Sequence, residues 1–132
     1  MKGIYVLIIQ IDHALSCGIG ALGKLAFQEG LYAYVGSAQN NLELRVKRHQ
    51  RKEKRLFWHI DYLLNNEASK VIEVYYSAGK KMEECNVSSI IEANGAFLIR
   101  GFGCSDCRCK SHLFNAENFE FLDDIMDQFK IS

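Results

Sequence analysis

Residues 3–11, GIYVLIIQI, form an apolar run dominated by β-branched side chains, with one tyrosine near its start. Such a run reads as a buried strand, so the chain is committed to a sheet almost from its first residue. Residues 31–36, LYAYVG, read as a second strand, rich in aromatics and closed by Gly36 and Ser37. The simplest topology pairs the two antiparallel. Side chains two apart on a strand share a face. Tyr5 then lies with Gly3 and Leu7, Tyr34 lies with Gly36, and the two phenols can reach one point. Gly36 has no Cβ, so another group can approach the backbone closely there.

The rest of the chain supplies helices and one further long strand. Residues 40–55 read as a helix, with Asn40 as N-cap, Glu43 three residues on as in a capping box, and Leu42 and Val46 facing inward. Residues 56–66 read as a second helix with Phe57, Ile60 and Leu64 on one stripe, stopped by Asn65 and Asn66. Residues 70–76 are a third strand, 77–79 a turn, 82–94 a third helix stopped by Gly95, and 96–99 a short strand. A short helix is expected over 120–129. Residues 12–30 are turn-like, with a short strand around 25–27. Gly18, Gly20 and Gly23 match G-x-G-x-x-G, yet no strand–loop–helix surrounds them, so they mark turns. There is no proline, repeat or low-complexity tract, and 132 residues suit one core. The expectation is a single α+β domain over 1–132: a small, mainly antiparallel three-stranded sheet flanked by helices, with a short acidic C-terminal tail.

No apolar run reaches the ~20 residues that span a bilayer, and the N-terminus lacks the cleavage site of a signal peptide. A cytoplasmic protein is expected, with its five cysteines reduced as thiols or metal ligands rather than disulfides. Sixteen basic and sixteen acidic residues cancel, but they are segregated. Arg45, Lys47, Arg48, Arg51, Lys52, Lys54 and Arg55 are opposed locally only by Glu53, whereas Glu117, Glu120, Asp123, Asp124 and Asp127 have no basic residue among them. A basic patch steers phosphates whatever the total charge, although a charge run alone reads as a solvated helix face.

On the basic helix Arg45, Arg48, His49 and Lys52 fall at i, i+3, i+4 and i+7, one stripe beside the apolar one. Arg45 is nearest the Gly36 turn, and its guanidinium can pair bidentately with phosphate oxygens. Ser37, Arg48 and Lys52 are further candidate phosphate ligands. His49 titrates near neutrality and can pass a proton. Taken singly, each arginine reads as a surface residue and each tyrosine as a half-buried strand aromatic. Their joint spacing points to a phosphodiester.

Gly3-Ile4-Tyr5, Tyr34-Val35-Gly36 and the following Arg45 resemble the motifs of the GIY-YIG nuclease superfamily, the first in full and the second with Val for Ile. The stretch from Gly36-Ser37-Ala38 through Leu44-Arg45-Val46-Lys47-Arg48-His49 looks like that superfamily's loop and arginine helix. The resemblance covers most of residues 3–110. The segments 58–61 and 105–109 look like those of a small prokaryotic single-domain branch. The resemblance implies a divalent-metal-dependent endonuclease acting on DNA, in repair. Tyr5, Tyr34, Arg45, His49 and Glu84 would be catalytic, with Glu84 holding Mg²⁺ or Mn²⁺. Glu83 and Glu92 compete for that role, and Asp106 is the nearest match to a polar residue expected after the third helix. In this reading the ion is a Lewis acid and Arg45 stabilises the transition state. Tyr34 orients water or phosphate. Tyr5 is the base, once positive charge lowers its pKa from ~10, with His49 as helper or alternative. The implied partners are DNA, a repair protein or a second copy, and no membrane. Two alternatives use the same scaffold without catalysis: a nucleic-acid-binding module, and a protein-docking module built on the acidic tail and cysteine loop.

Cys104, Cys107, Cys109 and His112 are zinc-ligand types in one tight cluster. A structural zinc held by Cys85, Cys107, Cys109 and His112 is easier to build if the third helix packs on this loop, and buried thiols in a polar loop are the competing reading. His59 is expected on a helix face with a hydrogen bond.

Overall fold

The computed structural model describes residues 3–38, 40–51, 56, 58–80, 83–103 and 110–129. In chain order the elements are β1 (Gly3–Ile11), β2 (Leu15–Gly18), β3 (Lys24–Phe27), β4 (Gly30–Ala38), α1 (Leu42–Gln50), α2 (His59–Leu64), β5 (Ser69–Ser77), α3 (Glu84–Ala93), β6 (Phe97–Leu98), β7 (Leu113–Ala116) and β8 (Asp127–Phe129). The expected antiparallel pair is present. β1 and β4 run side by side with Gly3 opposite Ala38, Tyr5 opposite Gly36 and Leu7 opposite Tyr34. β5 flanks β1 on its other edge, with one register shift between Ile8 and Ile9.

The fold is α+β with an antiparallel main sheet, but that sheet has six strands in the order β6-β7-β4-β1-β5-β8, not three. The three added strands are two to four residues long. β6 falls within the short strand expected over 96–99, whereas β7 and β8 carry too little alternation to stand out from loops. β8 takes the place of the second half of the helix expected over 120–129. Residues Glu120–Asp124 make only a 3₁₀ turn, and Leu122 and Met126 bury themselves against the sheet. β2 and β3 form a separate hairpin whose 3₁₀ turn places Gly20 and Gly23 at φ of +47° and +79°, backbone angles that favour glycine.

Alternation along β1 divides the core in two, because successive strand residues point to opposite faces. Tyr5, Leu7, Ile9 and Ile11 pack with Leu42 and Val46 of α1 and with Ile60, Leu63 and Leu64 of α2. Ile4, Val6 and Ile8 pack with Ile91 of α3 and with Phe119 and Leu122. The sheet is therefore covered on both sides, and at about 1.5–3 kcal/mol per buried aliphatic side chain the two cores are the main stabilising contribution.

α1 begins one residue later than its sequence indicated. Asn41, not Asn40, is the N-cap: its backbone is extended and its Oδ1 accepts the Leu44 amide at 3.1 Å. α2 starts at His59, where the Asp61 carboxylate accepts the Trp58 amide at 2.8 Å. Gly95, at φ +93°, follows α3 as expected. Among the described residues no helix is long and apolar enough to cross a membrane.

Candidate functional site

The β1–β4 register sets Tyr5 across from Gly36, and the phenol lies directly over the glycine. A Cβ at position 36 would stand 2.5 Å from both Cζ and the hydroxyl of Tyr5. Tyr34 lies on the same face of the sheet, and both tyrosines are buried, at 2% and 7% exposure. Above them α1 presents His49, also buried. Its Nε2 is 2.7 Å from the Tyr5 hydroxyl, and its ring lies 6.2 Å from that of Tyr34 and 5.9 Å from that of Trp58. Tyr5, Tyr34 and His49 thus form one aromatic layer under the end of the sheet.

The charged groups sit at the rim of this layer and meet through Ser37. Arg45 Nη1 donates to the Ser37 carbonyl at 3.0 Å. The Ser37 hydroxyl donates to Glu84 Oε2 at 2.5 Å. Glu84 Oε1 is 3.4 Å from His112 Nδ1. Because α3 packs on the opposite face from α1, Glu84 reaches this point around the end of the sheet. Ser37, whose side chain and carbonyl point to different neighbours, joins the two. Arg45, Ser37 and Glu84 are half-buried, whereas the tyrosines and His49 beneath them are enclosed.

Burial decides the proton affinity of the phenols. Removal from water pushes Tyr5 well above the ordinary tyrosine value. The adjacent Arg45 guanidinium pulls it back only in part, and Glu84 and Asp61 push it further up. Tyr34 is raised for the same first reason, with Tyr5, Glu84 and Asp61 adding to the rise. The expectation that positive charge would lower the Tyr5 pKa therefore fails: desolvation outweighs one arginine. Tyr5 is a neutral phenol that can act as a base only by handing its own proton to His49.

Of the three glutamates weighed, only Glu84 faces this group. Glu83 accepts the Lys80 amide at 3.3 Å, and Glu92 lies 3.7 Å from Lys110. A divalent ion of the kind the resemblance implies would find at Glu84 one carboxylate, with a hydroxyl and an imidazole beside it. Mg²⁺ keeps several waters and takes one or two protein carboxylates, so the residues fit such an ion. Among the described residues no three His, Cys, Asp or Glu side chains converge.

Arg48 has a different task from the one expected. Its Nη1 and Nη2 donate to Asp61 Oδ1 and Oδ2 at 2.8 and 3.0 Å, a bidentate pair that ties α1 to α2. The Trp58 ring is stacked against both arginines, with the guanidinium carbons of Arg45 and Arg48 at 4.5 and 4.4 Å from its centroid. Trp58 and Asp61 escaped the sequence reading as site residues. The legible signal was an acid three residues after a helix start, followed by the question of which cation a buried carboxylate would need. His59 behaves as expected, its Nδ1 accepting the Gly103 amide at 2.8 Å.

The cysteines correct the sequence reading. Cys85 is disulfide-bonded, so it is neither a reduced thiol nor a zinc ligand here. Residue type and spacing name a ligand set without fixing its oxidation state. Cys17 is a free thiol, raised in pKa by burial. His112 lies beside Glu84, its Nδ1 3.4 Å from Oε1. Lys52, Cys104, Asp106, Cys107 and Cys109 lie outside the described residues.

No curated protein and no solved structure matches the chain. A family model described as "Domain of unknown function DUF123" matches residues 4–131. That match spans nearly the whole chain, which therefore belongs to this family.

Proposed function

We propose that the protein is a divalent-metal-dependent endonuclease that hydrolyses DNA phosphodiester bonds, with a role in DNA repair. The observation that carries this reading is the relay across the end of the sheet: Tyr5 hydroxyl to His49 Nε2 at 2.7 Å, with Arg45 and Glu84 joined above it through Ser37 at 3.0 and 2.5 Å. A phosphodiester needs charge neutralised and a proton removed from water. Arg45 supplies fixed positive charge at the rim. Tyr5 accepts a proton from the attacking water as it passes its own to His49, so the phenol stays neutral and the added positive charge rests on the His49 imidazole. Tyr34 bounds the same layer and orients the water or the phosphate. Glu84 would hold Mg²⁺ or Mn²⁺, which when bound supplies Lewis-acid stabilisation of the phosphate charge.

The test is cleavage of duplex, branched and damaged DNA by the purified protein with Mg²⁺ or Mn²⁺, against a Glu84→Ala control. Metal-dependent cutting that the control lacks supports the reading, and equal products from both proteins exclude it. The enclosure of Tyr5, Tyr34 and His49 favours a second reading, a scaffold that binds nucleic acid without cutting it. That reading predicts salt-dependent DNA affinity with no metal-dependent product.

A further inference from the structure

We infer that His112 is a second protein ligand of the ion held by Glu84, which makes this a mixed oxygen–nitrogen site suited to Mn²⁺ or Zn²⁺ over Mg²⁺. The inference rests on the proposed metal dependence and adds to it the identity of the ligands and the class of ion. His112 stands just before β7. Its carbonyl accepts the Val35 amide at 2.9 Å, and its own amide donates to the Phe102 carbonyl at 2.8 Å. The backbone is thus fixed against β4 on one side and the Phe102 turn on the other. The side chain is 2% exposed, and Nδ1 is directed at a Glu84 carboxylate that is itself only 12% exposed.

The separation decides between two descriptions of the pair. An imidazolium donating to a carboxylate closes to about 2.7–2.9 Å. Two donor atoms each about 2.1 Å from one ion stand about 3.0 Å apart at a right angle and about 3.4 Å apart at a tetrahedral angle. The observed Oε1–Nδ1 distance is 3.4 Å. It is long for a charge-assisted hydrogen bond and matches two ligands at a tetrahedral angle, the zinc arrangement, with the right-angle spacing of an octahedral ion such as Mn²⁺ a few tenths of an ångström shorter. The other carboxylate oxygen is held by the Ser37 hydroxyl at 2.5 Å, which fixes the orientation of the carboxylate and leaves Oε1 turned toward the imidazole. Imidazole nitrogen suits Zn²⁺; Mn²⁺ shares the oxygen preference of Mg²⁺ but, as a first-row transition ion, also takes a nitrogen ligand.

Mn²⁺ alone, titrated into the full-length protein without nucleic acid, tests this through its electron paramagnetic resonance. The expected result is one bound Mn²⁺ whose spin-echo modulation contains a directly coordinated imidazole nitrogen. Glu84→Gln should abolish the bound signal. His112→Ala should remove the nitrogen modulation and weaken Mn²⁺ binding by about 10–100-fold, while Mg²⁺ affinity changes little. Mn²⁺ bound in a Glu84-dependent way with no nitrogen coupling would overturn the role of His112 and leave the proposed metal dependence standing. No Mn²⁺ binding by the unmodified protein would overturn both. The nitrogen measurement needs no variant, so a folding defect in His112→Ala cannot mask the answer.

Discussion

Tyr5 and Gly36 stand opposite each other in the β1–β4 register, and the phenol of one fills the space that the other leaves open by having no side chain. The pair explains why a tyrosine and a glycine in two separate motifs belong together. The Tyr5 ring cannot retreat easily, because its hydroxyl is held at His49 and its surroundings are closed. Gly36→Ala should therefore force a shift of the phenol or of β4, costing about 1–3 kcal/mol as overpacking. Urea unfolding should show the loss, and the Tyr5–His49 contact should break with it. Unchanged stability and unchanged His49 chemical shifts would count against this picture.

Arg48 and Asp61 give a second prediction, about stability rather than chemistry. The Asp61 side chain is fully buried, and Arg48 keeps 22% exposure. Arg48→Ala removes both guanidinium bonds to an enclosed carboxylate and should cost about 3 kcal/mol, the low end for such pairs because the arginine is partly solvated. Adding Asp61→Asn, which removes the buried charge and keeps an oxygen for the Trp58 amide, should recover part of that loss. A denaturation cycle over the four proteins measures the coupling directly.

What could be read before folding, and what could not, follows from the range of the forces involved. β1 and β4 announced themselves because a strand enclosed on both faces needs a continuous apolar run, as in GIYVLIIQI, and β5 through its β-branched and aromatic residues. The placement of Tyr5 and Tyr34 on one face followed from period-two alternation together with the antiparallel pairing, whose register decides which faces coincide. β7 and β8 did not announce themselves, since strands of four and three residues are specified by the neighbours they meet. The Asn40-for-Asn41 error at the helix start is a choice between adjacent caps that only the extended backbone of Asn41 resolves. Arg48 was assigned to a phosphate because a helix stripe shows charge but not its counter-charge, and Asp61 is thirteen residues away. The phenols read as half-buried from the sequence, and their near-complete enclosure under α1 is why the Tyr5 pKa rises rather than falls.

Tyr5 is the chemical centre of the proposed reaction, and removing its hydroxyl should separate chemistry from folding. Tyr5→Phe keeps the ring over Gly36 and loses only the bond to His49, so stability should change by about 1 kcal/mol. Single-turnover DNA cleavage should fall by at least ~100-fold, as expected when a proton-transfer group is lost. Mn²⁺ affinity should be unchanged, because the ion is assigned to Glu84. A Tyr5→Phe protein that cuts at the original rate would remove Tyr5 from the reaction while leaving the other residues in play.

The raised pKa values of Tyr5 and Tyr34 carry a sign that unfolding experiments can read. Both phenols stay protonated in the folded state at pH values where an unfolded tyrosine, near pKa ~10, has begun to ionise. Above that point the unfolded chain holds fewer protons than the native one, so each further pH unit favours unfolding. Stability attributable to these groups is fully present below about pH 10 and declines above it, by up to about 1.4 kcal/mol per pH unit for each tyrosine. Urea midpoints from about pH 8 to about pH 11 should show a plateau followed by a fall. The fall should be shallower in Tyr5→Phe and shallower again in Tyr5→Phe/Tyr34→Phe, while near-UV absorbance of the folded protein reports both phenols still protonated. Equal alkaline slopes in all three proteins would mean that water reaches these hydroxyls freely, and the enclosed proton relay proposed for the reaction would then lose its physical basis.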